Sequence, residues 1–313
     1  MFITGQLNVP LQQITAFVRA AQDARLSLER LGEVSGGKSA ADSDQRESRP
    51  TAGRDTQLVM DGGRKGENIT IDSLSFRYNA LSGFVLKNIN LEIPAGKVTA
   101  IVGSSGSGKT TLIKLLLGFY EPSEGSIRLG ATPLAGLAPR VWRSHCGAVM
   151  QDGFVFSDTF LANITESDPA NIPVDETRLE KAVQTAHLHD FIESLPMGYQ
   201  TMVGARGNGL SQGQRQRLLI ARAVYKEPEF LFFDEATNAL DARNERIIME
   251  NLNRFFTGRT VVIVAHRLST VKNADNIAVL ENGELIEEGT HEILVQKKGA
   301  YYRLVKEQLE LGG

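Results

Sequence analysis

With 313 residues and a formal net charge of −3, and an isoelectric point near 6.0, the chain is long enough for one large domain or two smaller ones. It lacks the surplus of positive charge that neutralising a phosphate backbone demands, which argues against nucleic acid as a partner. The single cysteine, Cys146, cannot form an internal disulfide, which fits a reducing compartment and places the chain in the cytosol.

No run of about 18 apolar residues is present, so no segment of this sequence qualifies as a membrane-crossing helix, and any membrane role needs another segment or subunit. Met1, Phe2, Ile3, Thr4 and Gly5 have no basic start or cleavage region, so no signal peptide is expected and the start looks like a cut. Pro10 can open a helix in which Leu11, Ile14, Phe17, Val18, Ala21, Leu28 and Leu31 recur at steps of three and four residues, with Gly32 as its stop. Such a helix, from Pro10 to Leu31, runs about six turns within an arm over residues 1–32. It either packs one stripe on its own domain or forms the cytoplasmic end of a last transmembrane helix. Residues 33–67 are rich in Gly, Ser, Asp, Arg and Lys and read as a flexible linker.

Beyond the linker, short β-type runs alternate with helical patterns, which predicts an α/β domain on a largely parallel sheet. Residues 98–102, 230–233 and 261–265 are continuous apolar runs and read as buried strands, each ending at a polar residue. Ligands of open α/β sheets sit beyond such carboxyl ends. After the first of these strands comes Gly103-Ser104-Ser105-Gly106-Ser107-Gly108-Lys109-Thr110, followed by the apolar helical stretch 111–117. That is the strand, loop and helix context of a P-loop. Its glycines let backbone N–H groups turn inward around phosphate, Lys109 reaches the terminal phosphates, and the Thr110 hydroxyl ligates magnesium.

Further along, Leu210-Ser211-Gln212-Gly213-Gln214 precedes a helix whose N-terminus projects from a small polar loop, a place that favours anions. It follows an insertion of roughly a hundred residues that no simple βαβ crossover requires. The strand 230–233 then runs into Asp234 and Glu235. There Asp234 can hold magnesium through its water shell while Glu235 polarises the attacking water as general base. Asn282-Gly283, between residues 277–280 and 284–286, reads as a hairpin turn.

Together these residues resemble the nucleotide-binding domain of ATP-binding-cassette (ABC) transporters, over about residues 68–313. The resemblance implies an ABC-type P-loop NTPase core with an N-terminal antiparallel β part and a helical subdomain at about 152–222. It also implies a head-to-tail dimer, or a pair with a paralogous domain, around ATP and Mg2+. In that family the signature loop of one subunit closes on the γ-phosphate held by the P-loop of the other, so Ser211, Gly213 and Gln214 would contact ATP in trans. Gln151 would be the lid glutamine linking magnesium to membrane helices, Asp241 the D-loop acid at the dimer seam, and His266 the switch histidine touching the γ-phosphate. Glu235, His266, Lys109 and Gln151 would form the catalytic set, and Thr110, Gln151 and Asp234 the metal set. The nucleotide would lie against the whole P-loop from Gly103 to Thr110 and on to Thr111. Tyr78 matches the aromatic that stacks on adenine, the alternative being a cross-strand core tyrosine.

Residues 198–204, the arm, and Ala265-His266-Arg267-Leu268-Ser269-Thr270 resemble exporters more than importers, and nearest are bacterial peptidase-containing bacteriocin and peptide transporters. The implied activity is ATP hydrolysis that powers export through an attached transmembrane domain, at the cytoplasmic face of the cell membrane. Two positions depart from the family: Gln212 stands where the first signature glycine is usual, and Ala205 where an acid is usual. A soluble ABC-type ATPase of DNA repair or translation would be expected to carry basic patches, coiled-coil insertions or zinc cysteines. A P-loop kinase would need neither the signature loop nor a carboxylate paired with His266.

Overall fold

In the computed structural model, which describes residues 66–166, 173–204, 207, 209–265 and 267–311, the first strands form where apolar side chains alternate. These are β1 (Ile69–Phe76) and β2 (Leu86–Ile93). The helical arm over residues 1–32, nearly all of the linker, Ala205 and His266 lie outside the described residues. The rest of the chain, within the unit 57–313, continues as β3 (Val98–Val102), α1 (Lys109–Leu116), β4 (Glu124–Leu129), the short β5 (Thr132–Pro133), α2 (Pro139–Ser144) and β6 (Cys146–Val149). Then come α3 (Phe160–Thr165), α4 (Glu176–Thr185), α5 (His189–Glu193) and α6 (Gln212–Tyr225), all between β6 and β7 (Phe230–Asp234). The chain closes with α7 (Ala242–Phe256), β8 (Thr260–Val264), α8 (Leu268–Val271), the β9–β10 hairpin (Asn276–Glu281, Glu284–Gly289), α9 (His291–Lys297) and α10 (Ala300–Leu311).

Two sheets result. A four-stranded antiparallel sheet has the order β2-β1-β4-β5, and a six-stranded sheet has the order β10-β9-β3-β8-β7-β6, parallel except for the β9–β10 edge. The hairpin turn falls where the sequence predicts it, with Asn282 and Gly283 at φ 50° and 83°, the left-handed pair that a two-residue turn between twisted strands requires. The continuous apolar runs are explained by burial on both faces. Ala100, Val102, Leu231, Phe233, Val261 and Ile263 face one core with the helices of residues 160–225. Ile101, Phe230, Phe232, Val262 and Val264 face a second core with α1 and the antiparallel sheet. Each such large side chain contributes roughly 1.5–3 kcal/mol by leaving water.

Among the helices between β6 and β7, α6 packs on α3 and α4 and carries a buried polar plug. Asn163 on α3 is fully buried. It accepts from the Phe156 amide at 2.9 Å and donates to the carbonyls of Phe156 and Thr159 at 3.1 and 3.0 Å. Arg222 of α6 completes the cluster by donating to the Asn163 and Phe154 carbonyls, both at 2.7 Å, and to the Asn163 side-chain oxygen at 2.9 Å. Burial holds the Arg222 pKa below its ordinary value, with Glu166 opposing, and these bonds offset the cost of desolvating the charge. The plug fixes the loop that follows Gln151.

Candidate functional site

The loop 103–108 joins β3 to α1, and two of its glycines are dictated by their surroundings. Gly103 has φ 151°, and a Cβ there would overlap the Leu280 carbonyl; Gly108 has φ 102°, and a Cβ would stand 2.6 Å from a Leu86 methyl. Only a residue without a side chain fits either place. The loop turns Lys109 inward, where it is 5% exposed and its Nζ donates to the carbonyls of Gly103 at 2.9 Å and Ser104 at 2.7 Å. Burial pushes the Lys109 pKa down, opposed by the nearby charges of Glu235 and Asp234. The buried Ser107 hydroxyl has no partner among the described residues.

Asp234 ends β7 and is completely buried. Thr110 donates to its Oδ1 at 3.2 Å, while Oδ2 has no partner among the described residues. Burial pushes the Asp234 carboxyl above the usual range. The Thr110 bond opposes this, the charge of Glu235 adds to it, and Lys114 and Lys109 pull it back. An orphaned carboxylate oxygen beside a hydroxyl is the donor chemistry of a hard cation such as magnesium, so the residues fit that metal.

Glu235 follows at φ 53°, a left-handed geometry that a non-glycine residue holds only with outside support. That support comes from three directions. Its amide donates to the Val264 carbonyl at 3.1 Å, its carbonyl accepts from Gln216 at 3.0 Å, and its Oε2 accepts from the Asn238 side-chain Nδ2 at 2.7 Å. Lys109, Thr110, Asp234 and Glu235 are thus gathered beyond the carboxyl ends of β3 and β7. Gln151 lies exposed two residues past the end of β6, the strand that pairs with β7.

Tyr78 is 48% exposed, unlike a core tyrosine. Its hydroxyl is 3.0 Å from Thr111 Oγ1 on α1, and its ring meets Phe76 and Tyr120 edge to face at 5.0 and 5.3 Å between centroids. Ser211 caps α6 reciprocally with Gln214: its hydroxyl accepts from the Gln214 amide at 3.2 Å, and its own amide donates to the Gln214 side chain at 2.8 Å. Gln212 is exposed in the first turn of that helix. Gly213 faces the carbonyl of Ala239, 3.3 Å from where a Cβ would lie. Among the described residues no hydrogen bond joins Ser211, Gly213 or Gln214 to the loop 103–108. Asp241 caps α7, accepting from the amides of Arg243 and Asn244 at 3.1 and 3.0 Å, and the Asn244 bonds hold its pKa low.

Sequence reasoning misses three elements that shape the site: Gln216, the Arg222–Asn163 plug, and an ion pair between Arg267 and the buried Glu245, which also accepts from Thr237 at 3.3 Å. Their partners lie far apart in sequence, and no spacing announces them.

Residues 86–238 match the ABC transporter family. The chain is 41% identical over 309 residues to the leukotoxin translocation ATP-binding protein LktB of Mannheimia haemolytica, covering 99% of this chain and 41% of that protein. The protein of the same name from Bibersteinia trehalosi aligns to the same extent. Among solved structures, a bacterial Atm1-family ABC exporter with ATP bound superposes with a TM-score of 0.74 at 38% identity, covering 78% of this chain and 42% of that one. The chain therefore spans about two fifths of the length of the curated relatives it matches. Loop, sheet order and relatives agree on an ABC-type P-loop NTPase fold, and residues 86–238 carry the ATP-binding domain of the ABC transporter family.

Proposed function

We propose that this chain binds magnesium ATP, hydrolyses its β–γ bond, and powers an exporter by closing head to tail on a second copy around two nucleotides. The observation that carries this reading is the pair of acids at the end of β7: Asp234, buried, bonded to Thr110 and with one oxygen unmatched, and Glu235 beside it, both close enough to Lys109 to act on its charge. In this reading Lys109 leaves its own loop carbonyls for the terminal phosphates, and the Ser107 hydroxyl and the loop amides take the remaining phosphate oxygens. Thr110, Asp234 and Gln151 would hold magnesium, which when bound would supply positive charge to the terminal phosphates. Glu235 accepts the proton of the attacking water, assisted by His266. Ser211, Gly213 and Gln214, which among the described residues make no hydrogen bond to the loop 103–108, serve the nucleotide of the partner, and Asp241 lies at the seam.

Residues 1–32 are then the end of a last transmembrane-domain helix, 33–67 a linker, and 68–313 the nucleotide-binding domain with its helical subdomain at about 152–222. The chain works at the cytoplasmic face of the cell membrane, attached to a transmembrane domain. In this reading the cargo is a bacteriocin-like peptide; the relatives are named for the translocation of a leukotoxin. If the site is shared between two copies, association limits turnover in dilute solution. Specific ATPase activity should then rise with protein concentration until the dimer saturates. Activity that is absent with magnesium ATP at every concentration would refute the proposal.

Tyr78 serves as the base platform in this reading, and stacking of a base on an aromatic side chain is worth about 1–3 kcal/mol. Tyr78→Ala is expected to weaken ATP binding about tenfold or more. Binding of inorganic tripolyphosphate, which has no base, should stay unchanged. Equal losses for both ligands in equilibrium titrations would assign Tyr78 a role in the phosphate loop instead.

A further inference from the structure

We infer that Gln216 is a positioning residue that ties the loop opening α6 to the backbone of Glu235, so that engagement of that loop sets the geometry of the carboxylate serving the chain's own P-loop. The inference rests on the functional reading above and names a control element within it.

One side-chain amide spans the two ends of the short segment after β7. Its nitrogen donates to the Glu235 carbonyl at 3.0 Å, and its oxygen accepts from the Ala239 amide at 3.1 Å. A primary amide is suited to this because it offers a donor and an acceptor side by side. The segment needs such a brace. Glu235 sits at positive φ, and among the described residues the backbone bonds within 235–240 are those from Asn238 to Glu235 at 3.3 Å and from Leu240 to Thr237 at 3.1 Å.

The same face of α6 touches the segment a second time, at Gly213, where a Cβ would press on the Ala239 carbonyl and lie 3.6 Å from a Leu240 methyl. The reciprocal cap between Ser211 and Gln214 locks the first turn, so Ser211, Gly213 and Gln216 move together. A displacement of this turn is therefore passed to the Glu235 backbone through the Gln216 side chain, and to Ala239 and Leu240 through Gly213. In a head-to-tail dimer the turn serves one nucleotide and Glu235 the other, which makes Gln216 a link between the two sites inside one subunit.

Two near-isosteric variants of the full chain test this. Gln216→Glu keeps the acceptor for Ala239 but turns an oxygen toward the Glu235 carbonyl, and Gln216→Met removes both bonds. Each should lower kcat about tenfold, leave equilibrium ATP affinity within about twofold, and move the Hill coefficient for ATP toward one. Combined with Glu235→Gln, either should lower the residual rate by less than about twofold, because Gln216 acts through Glu235. Thermal melting identifies a variant that fails to fold, in which case the other carries the test. If the wild-type chain turns over ATP and both variants match it, or if their losses persist in full in the Glu235→Gln background, the inference is overturned while the functional reading stands. A wild-type chain without ATPase activity overturns that reading and the inference with it.

Discussion

Glu235→Gln is expected to slow ATP hydrolysis at least about tenfold while leaving ATP binding intact. The substitution preserves shape: an amide oxygen can still accept from Asn238, which donates to Glu235 Oε2 at 2.7 Å, and the backbone bonds to Val264 and Gln216 are untouched. What is lost is an acceptor basic enough to take a proton from water. Steady-state turnover measured beside equilibrium nucleotide binding separates the two effects. Near-normal turnover would move the base elsewhere, with His266 the next candidate.

Lys109→Ala is expected to act on binding itself and to weaken ATP affinity at least about tenfold. The ammonium group is buried and donates two of its three hydrogens to carbonyls of its own loop. Burial has already pushed its pKa down, so the charge is incompletely solvated before nucleotide arrives. Exchanging neutral carbonyls for phosphate oxygens turns ordinary hydrogen bonds into charge-assisted ones, present in the ground state as well as in the transition state. The loss should therefore appear in equilibrium titrations with ATP, and unchanged affinity would count against the loop as the phosphate cradle.

The parts of this molecule that were legible from sequence are those encoded locally. The strands β3, β7 and β8 announce themselves as apolar runs because both faces of the central sheet are covered, by the helices on one side and the antiparallel sheet on the other. The glycines of residues 103–108 are legible because their backbone geometry and the crowding around Gly103 and Gly108 admit nothing else. The antiparallel sheet was expected only through family resemblance, since β1 and β4 pair across about fifty intervening residues and nothing local encodes that register. The polar braces were not legible at all. Asn163 and Arg222 look like ordinary polar helix positions, and only the fold makes one fully buried and brings the other to it across 59 residues. Gln216 is hidden in a polar run, and its value comes from meeting Glu235 and Ala239, 19 and 23 residues away.

The central claim is that each active site is assembled from two copies, and one mixing experiment addresses it most directly. Lys109→Ala removes the phosphate cradle and leaves the α6 loop intact, whereas Ser211→Arg blocks the loop and leaves the cradle intact. Each homodimer then contains two broken sites, but a heterodimer has one site built wholly from unaltered parts. The account predicts that two nearly inactive preparations regain ATPase activity when mixed, most strongly where the dimer is populated. A mixture that stays as inactive as its components, at concentrations where sizing shows that the wild-type chain dimerises with ATP, would contradict it.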